Sequence, residues 1–178
     1  KQFDSDLEAI RAKVLEMGTL VEEQTANAVQ SLLNTDIKLA EAVMKRDAQI
    51  NDLEVVIDEE TSLLIAKRSP AAGDLRNIMM MLKIITDLER MGDEASKIAR
   101  STTRIFESNR MSKPRFTEIK GMAKAVQGMI KTALNSFARL DLSDTIDILE
   151  KDKQVDDDYR SCMRQLLTFM LEDPRTIS

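Results

Sequence analysis

The chain is 178 residues long, with 31 acidic and 26 basic side chains, a formal charge of −5, no histidine and a single cysteine. The length allows one sizeable core or two small ones. The acidic balance argues against a nucleic-acid partner, which usually demands a basic stripe to displace counterions from phosphates. A small basic cluster at Lys97, Arg100 and Arg104 reads as cations near a helix C-terminus, where they complement the helix dipole. Five glycines and three prolines leave a composition dominated by helix formers, so an all-α protein is expected. The longest apolar run covers only residues 78–82. A membrane-spanning helix needs about 20 such residues. One cysteine precludes an intrachain disulfide framework and suits a reducing compartment, so the expected location is cytoplasmic.

Along the chain, Leu7, Ile10, Val14, Met17, Val21, Ala28 and Leu32 recur at steps of three and four and predict one long helix over about 3–34. Asp36 is placed to cap a second helix, about 36–68, with Ala40, Val43, Ile50, Leu53, Ile57 and Leu64 inward. Ser69-Pro70-Ala71-Ala72-Gly73 breaks the pattern. A third helix, about 72–107, carries Leu75, Ile78, Met79, Leu82, Ile85, Leu88 and Ala95 on its core face, and the three methionines at 79–81 read as core filling.

The pattern then starts again. A shift of 105 positions pairs Met17 with Met122, Ser31 with Ser136, Asp36 with Asp141, Asp47 with Asp152 and Asp52 with Asp157. Val21 falls on Val126, Val43 on Ile148 and Ile50 on Val155 in the same register. Polar turn residues and core residues matching together identify an internal duplication. The expected organisation is a first three-helix unit over 1–107, a linker over 108–114, and a second unit over 115–178. The second unit has two helices, about 115–139 and 141–172. Its third helix is expected to follow the last residue of the sequence, since Glu172-Asp173-Pro174 occupies the place of Arg68-Ser69-Pro70.

The most informative polar feature is Glu89-Arg90-Met91-Gly92-Asp93. Glu89 and Asp93, four apart, project from one helical face, where like charges repel and helix stability gains nothing. On the preceding helix Asp47, Asn51, Glu54 and Asp58 form a second stripe. An antiparallel hairpin turning near residue 71 lays the two stripes side by side. Such oxygen donors suit iron, manganese, zinc, magnesium or calcium, whereas the plain alternative is a solvated acidic face. In the second unit Asp152 and Asp156 keep the spacing of Asp47 and Asn51, but Tyr159 replaces Glu54 and Met163 replaces Asp58.

Catalysis is not expected. The absence of histidine removes the usual general base, the serine triad and the Glu-x-x-His metal motif of di-iron bundles. No glycine-rich phosphate loop is present, and Cys162 aligns with Ile57 of the first unit, a core position that predicts a buried structural thiol.

Together these residues resemble the PhoU family. The resemblance rests on Met17-Gly18 with Val21-Glu22, Ile57-Asp58-Glu59, Ile65-Ala66-Lys67-Arg68 and Asp74-Leu75-Arg76. It continues in Leu88-Glu89-Arg90-Met91-Gly92-Asp93, Arg164-Gln165-Leu166 and Glu172-Asp173-Pro174-Arg175-Thr176-Ile177. It implies two tandem three-helix bundles and a regulator, not an enzyme, that restrains phosphate-starvation signalling when phosphate is plentiful. The implied partners are the ATPase subunit of the phosphate transporter and a sensor histidine kinase, with membrane association only through them, and the family suggests a homodimer. Its metal-binding Glu/Asp-x-x-x-Asp motifs carry over to Glu89, Asp93, Glu54, Asp58, Asp152 and Asp156. A metal-storing bundle and a plain helical adaptor are the competing readings.

Overall fold

A computed structural model describes residues 2–107 and 117–172. Among them are five helices and no strand: α1 (Gln2–Asn34), α2 (Ile37–Arg68), α3 (Ala72–Glu107), α4 (Thr117–Arg139) and α5 (Thr145–Glu172). The chain divides into two compact units, residues 1–112 and 113–178. The expected linker, 108–114, lies outside the described residues.

In the first unit each of α1, α2 and α3 packs on the other two. The fully buried large side chains include Val14, Met17 and Val21 of α1, Val43, Ile50 and Ile57 of α2, and Ile78 and Ile85 of α3. Their spacing at three, four and seven residues keeps one stripe of each helix on the bundle axis. Near the α1–α2 turn the core narrows to Ala28, Ala40, Val43, Ala95 and Ala99, with Met44 and Ile98 against it. Two buried hydroxyls are satisfied within their own helices: Ser31 Oγ donates to the Ala28 carbonyl at 2.7 Å and Thr102 Oγ1 to that of Ile98 at 3.0 Å. Lys13–Glu60, Arg46–Glu23 and Arg68–Asp6 tie α1 to α2. Exposed pairs of this kind are worth about 0–1 kcal/mol each, so the apolar stripes decide the packing.

The turns follow the local sequence. Asp36 accepts a hydrogen bond from the Leu39 amide at 3.0 Å and caps α2. Ser69, in the left-handed region at φ 46°, closes α2 with its amide donating to the Ile65 carbonyl, and Pro70 prevents the helix from continuing.

The duplication has a structural counterpart in the turns. Thr35 and Leu140, 105 positions apart, both adopt positive φ, 58° and 54°. The amides of Asp36 and Asp141 donate to the carbonyls of Ser31 and Ser136 at 2.9 and 3.0 Å. The two α-hairpins therefore leave their first helix through the same closure.

Four expectations need correction. The fifth helix begins at Thr145, not near 141. Asp141 instead accepts from Ser143 N at 3.0 Å and Ser143 Oγ at 2.8 Å, folding 141–143 into a side-chain-closed turn that holds its own carboxyl below the usual range. Met79 and Met80 are exposed and only Met81 of the three is buried, because the inward line of α3 runs Ile78, Met81, Ile85, Leu88. Leu75 is exposed in the first turn of α3, at the end of the bundle. Cys162 is half-buried, since the second unit offers only α4 against α5 among the described residues.

That unit is thinly cored. Ile130 is its one buried apolar residue among those described, and Val126, Ile148 and Val155 are half-buried. Leu142, Ile146, Leu149, Leu166, Leu167 and Leu171 are exposed.

Candidate functional site

The acidic stripes lie where α2 and α3 run side by side in the first unit. The hairpin closed at 69–71 sets them antiparallel, and Gly92 brings them close: a Cβ added there would fall 3.1 Å from Ile50 Cδ1 and 3.6 Å from Asp47 Oδ1. The carboxylate of Asp47 thus lies beside the middle of the Glu89-to-Asp93 segment.

The carboxyl of Glu89 records the crowding. It is held above the ordinary glutamate range, first by desolvation and then by the negative charges of Asp93, Glu54 and Asp47, with Arg90 acting in the opposite direction. Arg90 is only a weak counterweight, since it also reaches Asp87 at 3.6 Å. Four of the expected residues, Asp47, Glu54, Glu89 and Asp93, are therefore electrostatic neighbours, and all four are half-buried. Asn51 and Asp58 belong to the same stripe of α2 but are exposed. Among the described residues, no group of three or more acidic or cysteine side chains is arranged so that it could hold a metal ion.

Asp152 and Asp156 of the second unit are exposed on α5, and Asp156 lies 3.9 Å from Arg160, which also pairs with Asp157 at 3.1 Å. Asp156 thus stands next to a cation, where its counterpart in the first unit, Asn51, is an exposed amide.

Sequence reasoning missed the polar group behind the groove. Gln24 of α1 is buried, and its Nε2 donates to Asp47 Oδ1 at 2.8 Å, with the Gly92 carbonyl and Ser96 Oγ each at 3.3 Å. The signal was a single amide in the apolar line Val21, Gln24, Ala28, where a hydrophobic residue is the ordinary occupant.

The PhoU domain model matches residues 14–102 and 119–178, one segment in each unit. This chain belongs to the PhoU family. The phosphate-specific transport system accessory protein PhoU homolog of Pseudomonas aeruginosa is 44% identical over all of this chain and 73% of its own length. The Escherichia coli K12 protein of that designation is 40% identical over 99% of this chain and 72% of its own. Crystal structures agree. PhoU from Pseudomonas aeruginosa superposes with a TM-score of 0.93 at 43% identity, covering 98% of this chain and 83% of that one. The phosphate transport system regulatory protein PhoU from Streptococcus pneumoniae gives 0.87 at 27% identity, with 96% and 80% covered. The PhoU fold therefore holds across sequences that differ at most positions, as expected when the apolar stripes and the turns carry the architecture.

Proposed function

We propose that this chain is a non-enzymatic regulator accessory to phosphate transport, which restrains phosphate-starvation signalling by bridging the transporter's ATPase subunit and a sensor histidine kinase. The observation that carries the reading is a family match in both units, joined to relatives designated transport system accessory proteins. The chemistry of the chain is compatible with this role: it has no histidine. Among the described residues, no helix is long and apolar enough to cross a membrane. Exposed apolar residues on α2 and α5, among them Val55, Leu63 and Leu166, supply the kind of surface a scaffold presents to partners. Such a regulator acts only by binding one state of the kinase better than the other. Deleting the gene tests the proposal. Phosphate-starvation transcripts should become high in phosphate-replete cells, and transcription that stays phosphate-responsive would overturn it.

A cation at the acidic groove is part of this proposal. The donor chemistry suits a hard divalent or ferric ion, since Asp47, Glu54, Glu89 and Asp93 offer only oxygen ligands and crowd negative charge on Glu89, but as they stand these side chains form no group that could hold one. A bound cation would supply positive charge to offset that crowding. Metal analysis of the untagged protein beside a Glu89→Ala/Asp93→Ala variant tests it. Stoichiometric metal in the parent and loss in the variant is the expected result, and no metal in either returns these carboxylates to the role of a solvated face.

A further inference from the structure

The cations of α3 fall on one line. Arg76, Lys83, Arg90, Lys97 and Arg104, five of the six basic residues of this helix, stand seven positions apart, and all are exposed. No other described helix carries more than two like charges on such a line. Helix stability does not account for the row. The dipole favours cations only in the last turn, which covers Arg104 and leaves the other four unexplained. Local pairing accounts for little of it. Arg90 reaches Asp87 at 3.6 Å and Lys97 reaches Glu94 at 2.7 Å, both solvated pairs. Arg76, Lys83, Arg104 and the neighbouring Arg100 make no ion pair among the described residues. Between Arg76 and Lys83 the row is bordered on either side by Met79 and Met80, which are 47% and 40% exposed.

The spacing selects the partner. Seven residues rise about 10.5 Å, so the row runs roughly 42 Å. On a straight helix such a line drifts by about 20° per heptad, or roughly 80° from end to end. No flat surface meets all five cations, so a bilayer does not fit. A second helix wound along α3 keeps the same step and the same drift, and a carboxylate at every seventh position of it meets each cation in turn. Asp87 and Glu94 border the row and repel a continuous polyanion, whereas a helix can place its acids to avoid them. A second copy of this chain does not supply that helix, since none of its described helices has more than two acids on one line. Exposed charge pairs give steering and register more than affinity, so the contact also needs an apolar anchor. Met79 and Met80 provide one, with flexible side chains that adapt to what they meet. We propose that this outer face of α3 docks an α-helix of another protein, one with an acidic residue every seven positions and an apolar residue opposite the methionines.

Fluorescence anisotropy of a designed probe with the full chain tests the proposal. The probe is a labelled peptide of about 35 residues, long enough to hold a helix, with glutamate at every seventh position and leucine near one end. Its control has the same composition with the glutamates at irregular spacing. At low salt the regular peptide should bind about tenfold tighter than the control, and physiological salt should remove most of the difference. Lys83→Glu/Arg104→Glu, at exposed sites without an ion pair, should bring the regular peptide down to the level of the control. Lys38→Glu/Lys45→Glu makes the same change of net charge on α2, away from the row, and should leave the affinity within about twofold. Met79→Ser/Met80→Ser should weaken the regular peptide by about fivefold without changing its salt dependence. If Lys83→Glu/Arg104→Glu does not fold by circular dichroism, Lys83→Gln/Arg104→Gln replaces it, with a smaller loss in the same direction. Equal affinity for the two peptides, or no binding of either, overturns the proposal. So does sedimentation with phosphatidylglycerol vesicles that depends on Lys83 and Arg104 and is not matched by selective peptide binding, which would assign the row to an anionic bilayer.

Discussion

Gly92 and Ile50 meet where α3 crosses α2: a Cβ on Gly92 would stand 3.1 Å from Ile50 Cδ1 and 3.4 Å from its Cγ2. Ile50 is 1% exposed, so its Cδ1 would have to give by a few tenths of an ångström within the core to admit that Cβ. Two effects then compete in Gly92→Ala. Alanine gains about 1 kcal/mol of helix propensity, while overpacking a filled core costs typically about 1–3 kcal/mol. The crowding should win, so Gly92→Ala lowers stability by roughly 1 kcal/mol in urea unfolding. Gly92→Val, with two more methyl groups, should lose more and also disturb Asp47, whose Oδ1 would lie 3.6 Å from the new Cβ.

The raised carboxyl of Glu89 makes stability depend on pH in a definite direction. Desolvation, then Asp93, Glu54 and Asp47, favour the protonated form in the folded state. The folded protein therefore binds this proton more tightly than the unfolded chain, whose value is near 4.5. The cost of ionising Glu89 is absent below that value and is fully felt once pH has risen past the folded value. Glu89→Gln should accordingly raise the melting temperature at pH 7 in the presence of a chelator. The advantage should shrink as pH falls towards 4.5. A variant no more stable than the parent at pH 7 would contradict this account of the groove.

The helices and the pairing of the stripes were legible because both follow from period. Steps of three and four place Val14, Met17 and Val21 inward, and the Ser69–Pro70 stop fixes the hairpin that brings Asp47 near Glu89. The same arithmetic could not identify Gln24 as a tether, since an amide in an apolar line reveals a partner only when the neighbouring helices are in place. It also misplaced Met79 and Leu75, because period gives the direction of a side chain and not whether a partner extends far enough to cover it. The start of α5 was misread for a different reason. Asp36 and Asp141 share the backbone closure before them, but Ser143 captures the second carboxylate and delays the helix to Thr145.

The cap of α2 provides a local test. Asp36 Oδ1 accepts from the Leu39 amide at 3.0 Å, satisfying one of the donors a helix start leaves free. Asp36→Ala should destabilise the first unit by about 1 kcal/mol, and Asp36→Ser should recover most of the loss, since serine caps equally well. Thermal unfolding followed by circular dichroism distinguishes the three. Equal stability of parent and alanine variant would mean that the backbone closure at Thr35, shared with Leu140, holds this turn without the side chain.

The two units should respond very differently to the loss of a large apolar side chain. Ile57 is fully buried at the centre of α2, where removing it to alanine leaves a cavity among three helices. A substitution of that kind costs about 2–5 kcal/mol. Leu142 is 82% exposed ahead of α5, and Leu171 is equally exposed near its end. Alanine at either position should change stability by less than about 0.5 kcal/mol, as surface changes do. Replacing both leucines with glutamate removes apolar surface and should lower binding of a hydrophobic dye such as anilinonaphthalene sulfonate without unfolding the chain. A loss of several kcal/mol on changing Leu142 or Leu171 would show instead that these side chains are covered in solution, and the covering surface would then be the place to look for a partner.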